Sequence, residues 1–141
     1  MNQTIPVFGY PETLVKEYNY WVVMVRPHQI TLGTLVIASK SDATKLGDLA
    51  ADEWAEFAIV AEESESLLIK TFGAEKFNYC AFMMKDPNPH FHLVPRYSKS
   101  VNFNDRDWVD DKWPDATDLK RVEVTEAETK AILVVLKSQL S

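Results

Sequence analysis

His90-Phe91-His92-Leu93-Val94-Pro95-Arg96-Tyr97 puts two of the chain's three histidines two residues apart in a segment that reads as a β-strand. Side chains at i and i+2 of a strand point to the same face, so His90 and His92 are presented together. The residues before it, Lys85-Asp86-Pro87-Asn88-Pro89, read as a tight turn that delivers His90 at the strand's start. Phe77 to Met84, upstream of the turn, is an apolar run of strand length and is expected to be the neighbouring strand.

Working outward, Leu14 to Tyr18 and Tyr20 to Val25 are rich in β-branched and aromatic residues, with Asn19 as the turn between them. Leu32 to Ala38 reads as the next strand, and Arg26-Pro27-His28-Gln29 as a connecting loop, because Pro27 cannot donate to a central ladder. Asp48 offers an N-cap for a helix through Thr71. Trp54, Phe57, Ala58, Ala61, Leu68 and Ile69 lie near one face and Gly73 is the stop signal. Glu62, Glu63 and Glu65 fall off that stripe and read as a solvated face. Thr125 with Glu128 forms a capping-box signature ahead of Ala131, Ile132, Val135 and Leu136. The order predicts one α+β domain over 1–141: a mainly antiparallel sheet, a central helix and a C-terminal helix, with 98–141 a polar, aromatic loop and helix extension. In that loop Phe103, Trp108 and Trp113 stand among Asp105, Asp107, Asp110 and Asp111. Pinning the loop to the sheet or to a second subunit is the favoured role for these aromatics, with stacking on a base the alternative, and the Asp spacing is not that of a calcium loop.

Composition narrows the function. A chain of 141 residues that is 46% hydrophobic and 26% charged can bury a sizeable core. The net charge of −6 and pI near 5.0 give no footprint for duplex nucleic acid or an anionic membrane, so an anionic substrate must be met by a local cluster. The single Cys80 excludes an internal disulfide, suits a reducing compartment and reads as a buried, inert thiol. With no secretory pattern at the N-terminus and no apolar run near the roughly 20 residues that span a bilayer, the cytoplasm is the expected location.

Three readings of the histidine pair follow from chemistry. A neutral imidazole can attack phosphorus and form a phosphohistidine or nucleotidyl-histidine that water then opens, provided a backbone carbonyl fixes its tautomer. Alternatively His90 and His92 are two ligands of a metal, with His28 as the third. Otherwise they are polar residues on a partly exposed face.

The segment resembles the histidine triad (HIT) family, whose signature is His-x-His-x-His followed by apolar residues and often Pro-Arg. The resemblance runs from Leu14 to Tyr97 and includes Gly33-Thr34-Leu35-Val36-Ile37 and Phe77-Asn78. Asp86-Pro87-Asn88-Pro89-His90-Phe91-His92, ending in Pro95-Arg96-Tyr97, is similar to small bacterial members described as diadenosine tetraphosphate hydrolases. On this resemblance His90 is the nucleophile and His92 hydrogen-bonds phosphate oxygens or the leaving group. Asn88 replaces the first triad histidine, and Arg96, Asn78 and Arg26 are the substrate-binding candidates. It implies a nucleotide substrate cleaved at the α-phosphate, a homodimer that joins sheets, and no metal at the histidines or resident cofactor, a divalent ion accompanying the substrate phosphates being left open.

The chain also departs from the family. Asn-Gly, Gly-Gln and the nearby Ser or Thr that hold phosphate are missing between Phe82 and Pro89, Thr34 stands where many members have His after Gly, and no acidic or Asn residue for ribose is evident near Arg26. A nucleotide-binding protein with little turnover is therefore the alternative to a hydrolase. Asp86 reads as a turn residue before it reads as a partner for an imidazole.

Overall fold

The computed structural model describes residues 1–140; Ser141, the last residue of the expected domain, lies outside them. Nine regular elements follow in chain order: β1 (Leu14–Glu17), β2 (Trp21–Val25), β3 (Leu35–Ser39), α1 (Ala51–Phe72), β4 (Lys76–Cys80), β5 (His90–Arg96), β6 (Val101–Phe103), β7 (Arg106–Trp108) and α2 (Glu126–Ser138). The first five strands form an antiparallel sheet in the order β1-β2-β3-β5-β4, so the histidine strand is central and β4 is an edge. This is the expected α+β architecture of a mainly antiparallel sheet with two helices.

The helices cover one face of the sheet. Trp21, fully buried, donates its indole N–H to the Glu53 carbonyl at 2.7 Å and stacks among Trp54, Phe57 and Phe91, with ring centroids 4.8 to 6.4 Å apart. Each such pair adds about 0.5–1.5 kcal/mol beyond the area it buries. The buried stripe of α1 is Val60, Ser64, Leu67, Leu68 and Phe72, with Trp54 and Phe57 half-buried; Ala58 and Ile69, expected on it, face solvent. Glu63 accepts from Lys16 and Tyr18, and Glu65 from Tyr79, so two of the three glutamates expected to be solvated tie α1 to the sheet.

Several boundaries differ from the sequence reading. The helix starts at Ala51, not after Asp48. Asp48 closes a short 3-10 turn, and the Ala50 N–H is instead capped by the Glu53 carboxylate at 3.2 Å. Gly73 does end the helix, in the left-handed region with φ +76°. The strand expected over Phe77 to Met84 stops at Cys80, and the chain turns out so that Phe82 and Met84 are 54% and 80% exposed. The strand expected from Leu32 begins at Leu35, because Gly33 turns the chain at φ +86°. A Cβ at Gly33 would lie 2.9 Å from a Leu68 methyl and 3.0 Å from the Phe72 ring, so only glycine lets this turn close on α1. At the C-terminal helix the reciprocal Thr125–Glu128 capping box forms as read, with Ile132 and Leu136 buried.

Beyond the sheet, β6 and β7 make a separate hairpin. Phe103 packs edge-on to Phe72 at 5.4 Å and Trp108 is buried in the main core, so both pin this segment to the domain.

Candidate active site

The opposite face of the sheet carries the histidines. Strand alternation puts His90, His92, Val94 and Arg96 on that face, while Phe91, Leu93 and Tyr97 enter the core under α1. The register sets His90 beside Ala38, and His92 between Val36 and Cys80. The imidazoles lie 5.2 Å apart, ring to ring, nearly perpendicular, and both are buried, at 3% and 7% exposure.

The N-terminal segment, given no role in the sequence reading, covers this face. Ile5 and Phe8 pack on Val22, Met24, Val36 and Ala38, and the Phe8 ring sits 5.4 Å from His90 and 5.7 Å from His92. Asn2 holds the segment down through its amide, which donates to the carbonyls of Ser39 and Ser41 at 2.7 Å.

Asn88 is where this cover meets the histidine strand. Its side-chain oxygen accepts from the Thr4 hydroxyl at 2.9 Å, its side-chain amide donates to the Ala43 carbonyl at 3.0 Å, and its backbone N–H donates to Thr4 at 3.0 Å. The side chain is thus taken up by the fold. Its backbone carbonyl lies 2.7 Å from His90 Nδ1.

These contacts fix the two rings as opposite tautomers. A carbonyl only accepts, so His90 Nδ1 carries a hydrogen, and in the neutral ring the lone pair is on Nε2. At His92 the donor comes from outside, because Arg26 Nε–H points at Nδ1 over 3.2 Å. A guanidinium only donates, so His92 Nδ1 is bare and Nε2 carries the hydrogen. Burial, then the charge of Arg26, then His90 push the His92 pKa down to about 4, which keeps that ring neutral at pH 7. The pair therefore combines one nucleophilic nitrogen with one neutral N–H donor.

Arg26 is set by its loop. Gln29, fully buried, donates to the carbonyls of Arg26 and Thr34 and accepts the N–H groups of Gly33 and Thr34. Thr34 in turn accepts from Ile30 and Thr31. The threonine that stands where histidine was expected is a loop-building residue.

The other expected site residues lie elsewhere. Arg96 is on the same face but at the far end of β5, 3% exposed, with its guanidinium paired to both carboxylate oxygens of Asp110 at 2.7 and 2.9 Å and to Asn78 Oδ1 at 2.7 Å. Asn78 Oδ1 also accepts the Thr117 N–H. Arg96 and Asn78, expected to bind substrate, are here bonded to each other and to Asp110 and Thr117 at the end of β5 away from the histidines. Asp86 bonds neither imidazole. Cys80 is half-buried beside His92 in the ladder, and burial raises its thiol pKa, in keeping with an inert thiol. Among the described residues no group of three His, Cys, Asp or Glu is placed to hold a metal, and His28 does not join the pair. The only signals that could have pointed to Thr4, Phe8 and Asn2 were their polar or aromatic character at an irregular end, which has no period to read.

By sequence, no protein-family model and no curated protein matches this chain. By structure, it has the fold of histidine triad proteins. A histidine triad protein from Bradyrhizobium japonicum superposes with a TM-score of 0.72 at 15% identity, over 99% of this chain and 96% of that one. The Plasmodium falciparum diadenosine triphosphate hydrolase superposes with a TM-score of 0.64 at 11% identity, over 91% and 76%. The C. elegans NitFhit protein does so at 0.67 and 19% identity over 92% of this chain, which spans only 27% of that longer protein. At these identities the likeness carries the fold.

Proposed function

We propose that the chain is a histidine triad nucleotide hydrolase or transferase that cleaves a phosphoanhydride or phosphoramidate bond at an α-phosphate. The observation that carries this reading is the Asn88 carbonyl on His90 Nδ1, which holds the ring and makes Nε2 the nitrogen that would attack phosphorus. That a diadenosine triphosphate hydrolase shares the fold supports the same class of substrate.

In this reading the His90 Nε2 lone pair forms a bond to the α-phosphorus, and the bond to the leaving group breaks with its electron pair departing on the leaving group. The positive charge that develops on the ring is met by the Asn88 carbonyl dipole. His92 Nε2–H donates to a phosphate oxygen while Arg26 stands behind it. Water then adds to phosphorus, the P–N bond returns its electrons to His90, and the water proton leaves to solvent. Asn88 takes the first triad position by its main chain. No metal is required at the histidines, and a divalent ion enters only with the substrate phosphates.

We further infer a homodimer, for which β4 offers a free sheet edge. A cytoplasmic location is supported by the free Cys80. Among the described residues no helix is long and apolar enough to cross a membrane.

Intact-protein mass spectrometry after brief incubation with diadenosine tetraphosphate or adenosine phosphoramidate tests the chemistry. An AMP-sized adduct that disappears with His90→Ala is expected. The burial of both imidazoles under Phe8 favours a second reading, a nucleotide-binding protein with little turnover. AMP binding with neither adduct nor released product would select it.

A further inference from the structure

The loop between β4 and β5 sets a phenyl ring against the histidine pair and leaves it uncovered. Cys80, the last residue of β4, is the ladder partner of His92 and so lies on the histidine face. Two residues on, the Phe82 ring stands 6.4 Å from the His92 ring, tilted by 46°. Phe8 also flanks His92, at 5.7 Å, but it is 8% exposed where Phe82 is 54% exposed. Met84, on the same loop, is exposed as well, and neither Phe82 nor Met84 belongs to the apolar core on either face of the sheet. Between them Met83 holds φ +42°, left-handed backbone that a side chain disfavours. The fold's core gains nothing from a strained turn that keeps an aromatic ring in water beside a site residue, and strain of this kind gathers where a ligand uses it. Exposed apolar side chains such as Ile59 and Val134 belong instead to the helix layer across the sheet.

The position of Phe82 decides what it would touch. Phe8 lies against both imidazoles, whereas the ring contact of Phe82 is with His92, which serves the phosphate oxygens or the leaving group and does not attack. Phe82 offers a flat, uncharged face, and Met84 a flexible thioether of the kind that packs on aromatic rings. Such surfaces attract a planar apolar group. They give nothing to added charge or to a bare ammonia leaving group.

We propose that Phe82, with Met84 on the same loop, selects the leaving group by stacking a flat ring carried on the part of the substrate that departs from phosphorus. This rests on the nucleotidyl-transfer reading and adds its specificity. An arylalkyl amine and the base of a second nucleoside both present such a ring, and the experiment separates them.

Two pairs of substrates read the preference: adenosine N-benzylphosphoramidate against adenosine phosphoramidate, and diadenosine tetraphosphate against adenosine tetraphosphate. In at least one pair kcat/KM should favour the ring-bearing member by roughly tenfold, the scale of stacking on one aromatic side chain, and that pair identifies the source of the ring. Phe82→Ala should abolish the preference, Phe82→Tyr should keep it, and Val134→Ala, a control on α2, should leave it unchanged. No preference in either pair, or one that survives Phe82→Ala, would overturn the subsite. Sedimentation of Phe82→Ala is run alongside; a change in oligomeric state would assign the ring to contact between copies and overturn the proposal equally. Should the His90 adduct fail to form, the same four compounds are titrated by calorimetry into His90→Ala with and without Phe82→Ala. Tighter binding of a ring-bearing compound that depends on Phe82 would then uphold the subsite while the catalytic reading falls, and equal binding would overturn it.

Discussion

The two ends of β5 carry buried polar side chains on the same face, and they differ in what is left over. At the C-terminal end Arg96 is bonded to Asp110 and Asn78, and Asn78 also to Thr117, with the guanidinium and carboxylate almost fully desolvated. At the N-terminal end each imidazole has one nitrogen held by the protein and the other without a bond among the described residues. A buried charge paired within the protein serves the fold, whereas a ring held at one nitrogen keeps its second nitrogen unengaged. Burial and charge alone do not distinguish them.

The largest effect expected from the distinction is on turnover. His90→Ala should remove the nucleotidyl adduct and slow hydrolysis at least roughly a thousandfold, as loss of a nucleophile does, while the protein remains folded. Asp110→Ala should do the reverse. It leaves a buried guanidinium uncompensated, at a cost of about 3–5 kcal/mol, read by denaturant unfolding, while the folded fraction still forms the adduct. An Asp110→Ala protein of normal stability that lacked the adduct would break the comparison.

The pH dependence of stability sharpens it. His92 is held near pKa 4 in the fold against about 6.5 when unfolded, so between these values the unfolded chain binds the extra proton. Stability should therefore fall as pH drops from 6.5 towards 4, by up to about 3 kcal/mol, and His92→Gln should flatten that slope. An unchanged slope would show that His92 titrates normally. The smallest of these effects is expected at the cover. Thr4→Val keeps shape but leaves the Asn88 N–H and side-chain oxygen unmatched, which should cost about 1–3 kcal/mol and slow adduct formation. A stability loss with an unchanged adduct rate would confine Thr4 to a structural role.

Features with local signatures were legible in the sequence. The i, i+2 spacing of His90 and His92, the Gly73 stop and the Thr125–Glu128 box each depend on residues within one turn or strand, and each appears as read. Apolar character misled at Phe82 to Met84, where hydrophobic residues lie outside the sheet and are partly exposed, and capping preference misled at Asp48, which lies two positions before the helix's N-cap. The long-range part of the site was not legible. Thr4 meets Asn88 across 84 residues and Arg26 meets His92 across 66, and no periodicity joins such pairs. Arg96 shows the limit of residue type as a guide, because an arginine that matches phosphate matches Asp110 equally well.

The Asn88 carbonyl carries a consequence for heredity. The atom that orients His90 belongs to the peptide unit, and every codon supplies it, so exchanging the side chain at 88 cannot delete it. What a codon change can do is displace it, through the bonds to Thr4 and Ala43 that hold residue 88 in place. Positions 4 and 88 are therefore coupled: a histidine placed at 88 alone would face a Thr4 hydroxyl and an Ala43 carbonyl that the asparagine oxygen and amide match.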